Sequence, residues 1–522
     1  MRKQLIVRSA GLLGLLTLFS RVLGLIRDSV IARIFGVGTM TDAFMIAFTM
    51  PNMLRRLLAE GALSIAFVPI FSGDMVDGGK EKVEESLSVL LTVVSVVLSA
   101  VTIAAMIFAP VLVSLFAPGF GGEQRELAIL LTRVMFPFII FLSSASVMVG
   151  VLHAMRHFSI PALSPILLNC AIILSAFFLT PLCDPPIISL TIGVLTGGIL
   201  LWVLQWQQIR HYGFRMRWMF RIRHPSVQRF AKLMMPALFG IGVYQLNVMI
   251  SRILASLLPE GNVTYLYYSD RFLELPLGIF AVSVATAILP ALSERAHQLE
   301  YNEMAKTLFF SMRLMFFVCF PAMIGLMILR VPIMALVFQY GRFSLEDTHF
   351  LAHVFCMASL GIWAVGGVRI LLQGFYAMGH IKETVKIAVW TLILNVILGL
   401  VLMVPMQAAG LTLANAISSI FQFFFLIMVL KKSLDINIMR DMIKPIVPMV
   451  LSACVMGLCL FPVGQLSMWH SETVFLTRLW IVLCSIMAGG LVYVVFSYML
   501  GVRELKSVVQ RFKNGATPVE SI

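Results

Sequence analysis

Apolar runs long enough to cross a lipid bilayer recur from one end of this 522-residue chain to the other. A helix needs about 20 mostly apolar residues to span a hydrocarbon core about 30 Å thick. No interval between the runs is long enough for a separate soluble domain, so the sequence predicts an all-α integral membrane protein. Hydropathy gives about fourteen candidate spans, with approximate limits 9–35, 39–58, 86–116, 126–153, 160–181, 186–208, 233–257, 262–290, 304–330, 347–377, 381–404, 409–430, 444–464 and 474–500.

Connections that contain lysine or arginine alternate along the chain with connections that lack both residue types. One set of connections contains "RHF" near residue 156, the stretch 210–232, "SERAHQLEYNEMAK", "GHIKETVK", "KKSLDINIMRDMIK" and the C-terminal tail. The intervening connections "APGFGGEQ", "PLCDPP", "LPEGN", "VPMQAAG" and "FPVGQLSMWHSET" lack both residue types, whereas "QYGRFSLED" is an exception. By the positive-inside rule, the basic set lies in the cytoplasm with both termini, and the number of spans is even.

The distribution of basic residues also accounts for the net charge of +14. Seven lysines and arginines lie between Arg210 and Lys232, where membrane orientation needs them. No nucleic-acid partner is therefore expected. A dedicated role of this loop in binding anionic lipid or a partner protein is the alternative.

An internal repeat with an offset of about 225 residues divides the chain. "TDAF" at 41–44 resembles "SDRF" at 269–272, and "GVLHAMRHF" in span 4 resembles "GFYAMGHIK" in span 10, with a mid-helix asparagine recurring at Asn169 and Asn395. Six spans separate the copies, so the halves share one orientation and enclose a cavity, as in transporters. The predicted parts are an N-terminal lobe (1–208), a basic cytoplasmic loop (209–232), a C-terminal lobe (233–432), two further helices (433–500) and a cytoplasmic tail (501–522).

Ionisable residues inside the predicted spans are concentrated in spans 1, 2 and 8. Each costs about 2.5–3.5 kcal/mol at the centre of a membrane helix, so their clustering is informative. Seven residues make about two helical turns, which aligns Arg21 with Asp28 and Ser20 with Arg27 on shared faces. The clustered residues are Arg21, Arg27, Asp28, Asp42, Arg55, Arg56, Glu60, Asp270, Arg271 and Glu274.

These charges predict a cationic site for an anionic, phosphate-bearing substrate. Arg21, Arg27 and Arg271 lie at mid-depth, and arginine binds phosphate in bidentate geometry and stays protonated when desolvated. The acids are candidate partners that hold the arginines when no substrate is bound. Glu274, for example, is an i,i+3 neighbour of Arg271. The alternative is that the charges form structural ion pairs that close a helix bundle.

Several of these segments closely resemble one known family. "FSRVLGLIRDSVIARIFGVGTMTDAFMIAF", "PNMLRRLLAEGALSIAFVPIF", "FSIPALSPILLN" and "YYSDRFLELPLGIF" are similar to the MurJ (MviN) family, the bacterial lipid II flippases of the multidrug/oligosaccharidyl-lipid/polysaccharide (MOP) exporter superfamily. The resemblance runs in register from about residue 5 to about residue 430. It implies fourteen transmembrane helices, in two pseudo-symmetric six-helix lobes around a central cationic cavity plus two C-terminal helices. Those last two helices would form a groove for the polyprenyl tail, although their charge-free interiors equally suit simple packing against the bilayer.

The resemblance also assigns roles to individual residues. Thr49 is a difference from the family, because some relatives have a lysine at the corresponding position. In the expected transport cycle, the protein binds the diphosphate of lipid II on the inner side and exposes it on the other face by alternating access. Gly24 and Pro51 are candidate hinges. The family's substrate-binding arginines correspond to Arg21, Arg27, Arg55 and Arg271, and its gate or cavity partners to Ser20, Asp28, Asp42, Glu60 and Glu274.

The expected substrate is lipid II, the undecaprenyl-diphosphate-linked muropeptide, flipped from the inner to the outer leaflet of the bacterial inner membrane. Membrane lipids and proteins of cell-wall synthesis or division are the other expected partners, and the chain is expected to be monomeric. No cofactor or metal is expected. The chain has no Gly-x-x-x-x-Gly-Lys-Ser/Thr stretch, so ATP hydrolysis is not expected either, and a membrane potential or a monovalent ion is left as the energy source.

Two other function classes compete with this one. A MOP-superfamily antiporter, or an exporter of another lipid-linked oligosaccharide or amphipathic drug, would share the two-lobe plan, but a cationic substrate predicts a net acidic cavity. A membrane enzyme would be expected to carry acid/base residues on a large extracytoplasmic loop or a soluble domain. The outward connections here are short and mostly uncharged, so an enzyme is not expected.

Overall fold

The computed structural model describes residues 2–56, 66–433, 442–470, 474–502 and 505. Throughout these ranges the regular structure is helical and contains no β-strand, which confirms the all-α expectation. The helices form two compact units, one made of Met1–Thr264 with Tyr340–Arg342, the other of Tyr265–Gln339 with Phe343–Ile522.

In the part of the first unit that the structure describes, nine α-helices come before Asn262. They are α1 (Arg2–Phe35), α2 (Thr39–Leu54), α3 (Val68–Ile107), α4 (Ala109–Phe116), α5 (Gly122–Met135), α6 (Phe138–Ala154), α7 (Ser159–Phe178), α8 (Ile188–His211) and α9 (Pro225–Ser256). The backbone N–H of Arg342, from the short segment that joins this unit, donates to the carbonyl of Arg33 near the end of α1 (3.0 Å).

The second unit begins inside α10 (Asn262–Pro276) and continues through the rest of the chain. A π-helical turn, Leu277–Ala281, follows α10 directly. The later helices are α11 (Val282–His297), α12 (Tyr301–Ile328), α13 (Arg330–Phe338), α14 (Leu345–Ser359), α15 (Ile362–Ala377), α16 (Ile381–Met406), α17 (Ala408–Ser433), α18 (Lys444–Gly464) and α19 (Phe475–Met499).

The two units repeat one internal packing order. In the first, α7 packs on α8, α3 on α6, and α6 on α8; in the second, α16 packs on α17, α12 on α15, and α15 on α17. Four helices of each unit therefore pack in the same order, as an internal repeat predicts, and the six-helix limit of each lobe stays a prediction. By its contacts, α9 belongs to the first unit together with α1–α8. The repeat instead predicts that the second lobe begins with α9. The residue limits of the lobes and of the loop between them therefore stay predictions.

Proline and glycine divide several predicted spans into two helices. The span at 86–116 is interrupted at Phe108, just before Pro110, and the span at 126–153 at Phe136 and Pro137. Within α3 the helix is kinked at Gly78 and Gly79, and Gly79 has φ +61°, a conformation that favours glycine.

Ten described helices, counting those with an internal break as one, are long and apolar enough to cross a membrane. This identifies a multi-pass membrane protein. Four predicted spans, at 9–35, 39–58, 233–257 and 262–290, correspond to α1, α2, α9 and α10–α11, which are not among the ten. The count of fourteen therefore remains a prediction.

Candidate functional site

Arg27 and Asp28 form a buried ion pair in the C-terminal third of α1. Their exposed fractions are 4% and 1%. Nη2 and Nε of Arg27 both donate to Oδ1 of Asp28, at 2.6 and 3.0 Å. The seven-residue spacing aligns Asp28 with Arg21 but does not anticipate this contact between adjacent residues. The pair neutralises two charges that would each be costly to bury alone.

Asn169 on α7 completes this cluster. Its side-chain oxygen accepts a hydrogen bond from Nη1 of Arg27 (3.1 Å), and its side-chain nitrogen donates to the carbonyl of Ser20 (3.3 Å). Arg27 is therefore held by a carboxylate and an amide from two helices. The charge pattern of the sequence does not point to Asn169, although the recurrence of this residue as Asn395 in the repeat is a signal that could identify it.

Gly24 lies opposite this asparagine. A Cβ atom at Gly24 would lie 3.8 Å from Nδ2 of Asn169, an ordinary van der Waals distance. The helix α1 continues unbroken through Gly24. Its role as a hinge stays a prediction, and so does that of Pro51, through which α2 also continues. Arg21 and Ser20 lie on the same helix and are half-buried.

Asp42, in the first turn of α2, binds the N-terminus of α10. Its Oδ2 accepts the backbone N–H of Gly261 (2.6 Å), and its Oδ1 accepts both the backbone N–H (2.9 Å) and the hydroxyl (2.6 Å) of Thr264. Only 1% of Asp42 is exposed. The first N–H groups of a helix lack partners within it and favour a negative charge, so Asp42 acts as a cap supplied by another helix. It also lines a cavity of about 530 Å³ with Thr39 and Glu260.

The other end of α2 carries Arg55. This half-buried residue follows the last residue of α2, and its Nε donates to the side chain of Asn52 (2.8 Å). Thr49, which is buried, donates its hydroxyl to the carbonyl of Met45 one turn earlier (2.7 Å), so its polar atom is turned toward its own helix. Glu60 lies outside the described residues.

Arg271 and Glu274 lie on α10 in the second unit. Nη1 of Arg271 is 3.5 Å from Oε2 of Glu274, and the guanidinium also lies over the ring of Tyr267, 5.5 Å from its centroid. About a third of the Arg271 side chain and 40% of that of Glu274 are exposed. Since exposure weakens such pairs, this one is less tightly held than Arg27 with Asp28.

The described site residues therefore divide between the two units. Ser20, Arg21, Arg27, Asp28, Asp42 and Arg55 belong to the first, and Arg271 and Glu274 to the second. A central cavity that both sets line stays a prediction. In the described ranges, no group of three or more His, Cys, Asp or Glu side chains is arranged to hold a metal ion.

Sequence comparisons agree on one family. A family model described as "Lipid II flippase MurJ" matches residues 31–501. A Haemophilus influenzae protein named "Probable lipid II flippase MurJ" is 33% identical over 506 residues, which cover 94% of this chain and 99% of that protein. A Burkholderia cenocepacia protein named "Lipid II flippase MurJ" is 34% identical over 422 residues, which cover 80% of this chain and 82% of that protein.

Structural comparison adds two neighbours. A solved structure titled "Lipid II flippase MurJ, inward closed conformation" is 28% identical, has a TM-score of 0.79, and aligns with 95% of this chain and 99% of its own. An inward-facing multidrug resistance MATE-family transporter of the MOP superfamily has a TM-score of 0.66 at 13% identity, over 79% of this chain and 95% of its own. The second likeness shows the fold alone.

Proposed function

The chain belongs to the lipid II flippase MurJ family, and from this premise we propose that it moves lipid II from the inner to the outer leaflet of the bacterial inner membrane. The family is one of transporters rather than enzymes. The substrate of this chain would be the undecaprenyl-diphosphate-linked muropeptide. Its polar headgroup is what requires a protein, because a charged group in hydrocarbon is very costly without a hydrated, basic route.

The observation that carries the proposal is the buried cluster of Arg27, Asp28 and Asn169. Arg27 presents Nε and Nη2 together to one carboxylate oxygen, and this edge of a guanidinium is also the one that binds phosphate. A diphosphate oxygen would replace Asp28 on that edge while Asn169 keeps the third nitrogen in place. Asp28 would then hold the arginine whenever the substrate is absent, which avoids an unpaired buried charge.

The remaining arginines would act in sequence with Arg27. Arg55 would aid capture at the cytoplasmic mouth, and Arg21 and Arg271 would share the diphosphate with Arg27. The lobes would then rock about the occupied site, as in other repeat-built transporters. Asp42 would hold the N-terminus of α10 while the extracytoplasmic side is closed, and the last two membrane helices would take the polyprenyl tail.

Energy and partners complete the proposal. We expect no bound cofactor, with a membrane potential or a monovalent ion as the driving force. We also expect a monomer with both termini in the cytoplasm that works beside proteins of cell-wall synthesis or division. The MATE-like neighbour raises antiport of a drug or export of another lipid-linked glycan as the competing function. The arginine-rich mid-depth positions favour an anionic substrate over a cationic one.

Depletion of the protein in its own bacterium tests this function directly. Lipid II in the outer leaflet should fall while the inner pool rises, and re-expression of the wild-type chain should restore both. Arg27→Ala should fail to restore them at equal expression, and Arg27→Lys should restore them only partly because lysine lacks the planar fork. Arg133→Ala, at an exposed arginine on α5, is the matched control and should restore both. Unchanged outer-leaflet lipid II on depletion would refute the flippase function.

A further inference from the structure

The connection between α8 and α9 contains an ordered, non-helical stretch, residues 214–223, which we call the interfacial segment. Its sequence, "FRMRWMFRIR", alternates arginine with large apolar residues over much of its length. The segment belongs to the same compact unit as α3, α8 and α9. Phe214 at its start is buried, with Nζ of Lys80 5.2 Å from the centroid of its ring.

The interfacial segment is fixed to α3 by a ladder of three hydrogen bonds. Alternate backbone N–H groups of the segment donate to side chains that are four residues apart on α3. The pairs are Arg215 with Oε1 of Glu84 (3.1 Å), Arg217 with Oγ of Ser88 (3.1 Å) and Met219 with Oγ1 of Thr92 (3.0 Å).

The two spacings match, which explains why the ladder forms. Four helical residues rise about 6 Å, and two extended residues advance about 6.6 Å. The acceptors run from Glu84, just outside the predicted span at 86–116, to Thr92 within it. The segment therefore runs about 12 Å along α3, from just outside the predicted span into its first turns. Nη1 of Arg221 then lies 3.3 Å from Oε1 of Glu85, next to the first acceptor of the ladder.

Large apolar side chains of the segment point away from the protein. Trp218 is 82% exposed, Phe220 55% and Ile222 58%. Three such side chains, at alternate positions of a segment that is hydrogen-bonded to α3, would be unfavourable in water. Tryptophan is enriched at membrane–water interfaces, and the ladder places Trp218 beside the first residues of the predicted span, where such an interface is expected.

Exposed arginines flank these apolar side chains. Arg215, Arg217 and Arg223 are all exposed, on the side of the membrane that the charge distribution predicts to be cytoplasmic. Arginines immediately beside an interfacial apolar stretch attract anionic lipids by charge complementarity. A loop that served only to orient the protein would need neither the exposed tryptophan nor the ladder.

We propose that the interfacial segment is a binding site for anionic phospholipid headgroups of the leaflet on its side. Trp218 and Phe220 insert between the headgroups, and the three arginines contact the phosphates. The site is separate from the route proposed for the substrate and does not depend on it.

Lipid titration of the purified full chain tests the arginines. Native mass spectrometry would follow binding of dioleoyl-phosphatidylglycerol to the wild-type chain, to R215Q/R217Q/R223Q, and to K382Q/K386Q/K432Q, which removes the same charge from exposed lysines of other predicted cytoplasmic connections. We expect the arginine variant to bind about fivefold more weakly per arginine removed, and the lysine variant to bind much as the wild type. Equal effects of both variants, or of neither, would overturn the proposal.

Fluorescence tests the depth of Trp218 independently. The protein would be placed in nanodiscs whose phosphatidylglycerol carries bromine near the headgroup end of its acyl chains, and the spectrum of Trp218→Phe would be subtracted from that of the wild type. The difference should be quenched by the bromine, as should the corresponding difference for Trp480→Phe, an exposed tryptophan on α19. A Trp218 signal that bromine leaves unchanged but aqueous iodide quenches would place the segment in water or under a protein partner, and the lipid site would be refuted.

Discussion

Asp42 and Thr264 are joined twice, because one carboxylate oxygen of Asp42 accepts both the backbone N–H and the hydroxyl of Thr264. A third hydrogen bond, from the N–H of Gly261, uses the other oxygen. More than two hundred residues separate the partners in sequence. The start of α10 is therefore set by an acidic residue on α2.

Asp42→Asn should weaken this cap. One oxygen becomes an NH₂ group, which cannot accept a hydrogen bond, so a buried donor at the start of α10 loses its partner, at a cost of about 1–3 kcal/mol. We expect a lower melting temperature of the purified protein and reduced outer-leaflet lipid II in cells. Thr39→Val, which removes the exposed hydrogen bond between Thr39 and Glu260, is the control and should change the melting temperature little. Wild-type values for Asp42→Asn would contradict the capping role.

Gly24→Ala tests whether Gly24 serves as a hinge, because melting temperature and lipid II flipping should then change in opposite directions. The added methyl group fits, and alanine in a helix is more favourable than glycine by about 0.5–1 kcal/mol, so the melting temperature should rise slightly. If α1 bends at Gly24 during transport, lipid II flipping should fall in the same variant. Gly14→Ala, on the same helix with open space around it, should raise the melting temperature without affecting flipping. Full flipping by Gly24→Ala would remove Gly24 from the hinge.

Asn169→Leu should impair transport, because it deprives the Arg27 guanidinium of one of its acceptors and leaves Asp28 as the dominant partner. Asn169→Asp should impair it more, since a second carboxylate beside Arg27 would compete with the diphosphate. Both variants are compared with the wild type by outer-leaflet lipid II at equal membrane expression. The order matters: if Asn169→Asp were the more active of the two, Arg27 would not be the group that binds the anion.

Arg478 should prove necessary for the stability of the C-terminal helix pair. It is 1% exposed on α19, and its Nη1 donates to the carbonyl of Ala335 near the C-terminal end of α13 (3.1 Å). Arg478→Leu removes a hydrogen bond from a charged donor, typically worth about 1.5–3 kcal/mol, and should lower the melting temperature by about 1–3 °C in a chain of this length. Thr477→Ala, at the exposed preceding residue, should not. An unshifted melting temperature for Arg478→Leu would show that α19 is held by its apolar contacts alone.

Hydropathy and charge placement are enough to predict an all-helical membrane protein, because the bilayer imposes both patterns on the sequence directly. The internal repeat is visible instead in short motifs that recur about 225 residues apart. Hydropathy and charge placement do not predict the divisions at Phe108 and Phe136, since a broken helix and a continuous one have the same hydropathy. They also do not identify the partners of Arg27 and Asp42. An ionisable residue inside a membrane span is recognised from the apolar sequence around it, but some of its partners lie far along the chain, as Asn169 does from Arg27 and Thr264 from Asp42.

The ladder between the interfacial segment and α3 limits the insertions that α3 can tolerate. One residue inserted between Glu84 and Ser88 would turn Glu84 by about 100° relative to Ser88 and Thr92, while the apolar character of the helix would hardly change. The insertion would therefore satisfy every requirement of a membrane helix and still break the alignment with a connection more than a hundred residues later. The spacing of polar residues along this part of α3 is constrained by that distant connection rather than by the bilayer.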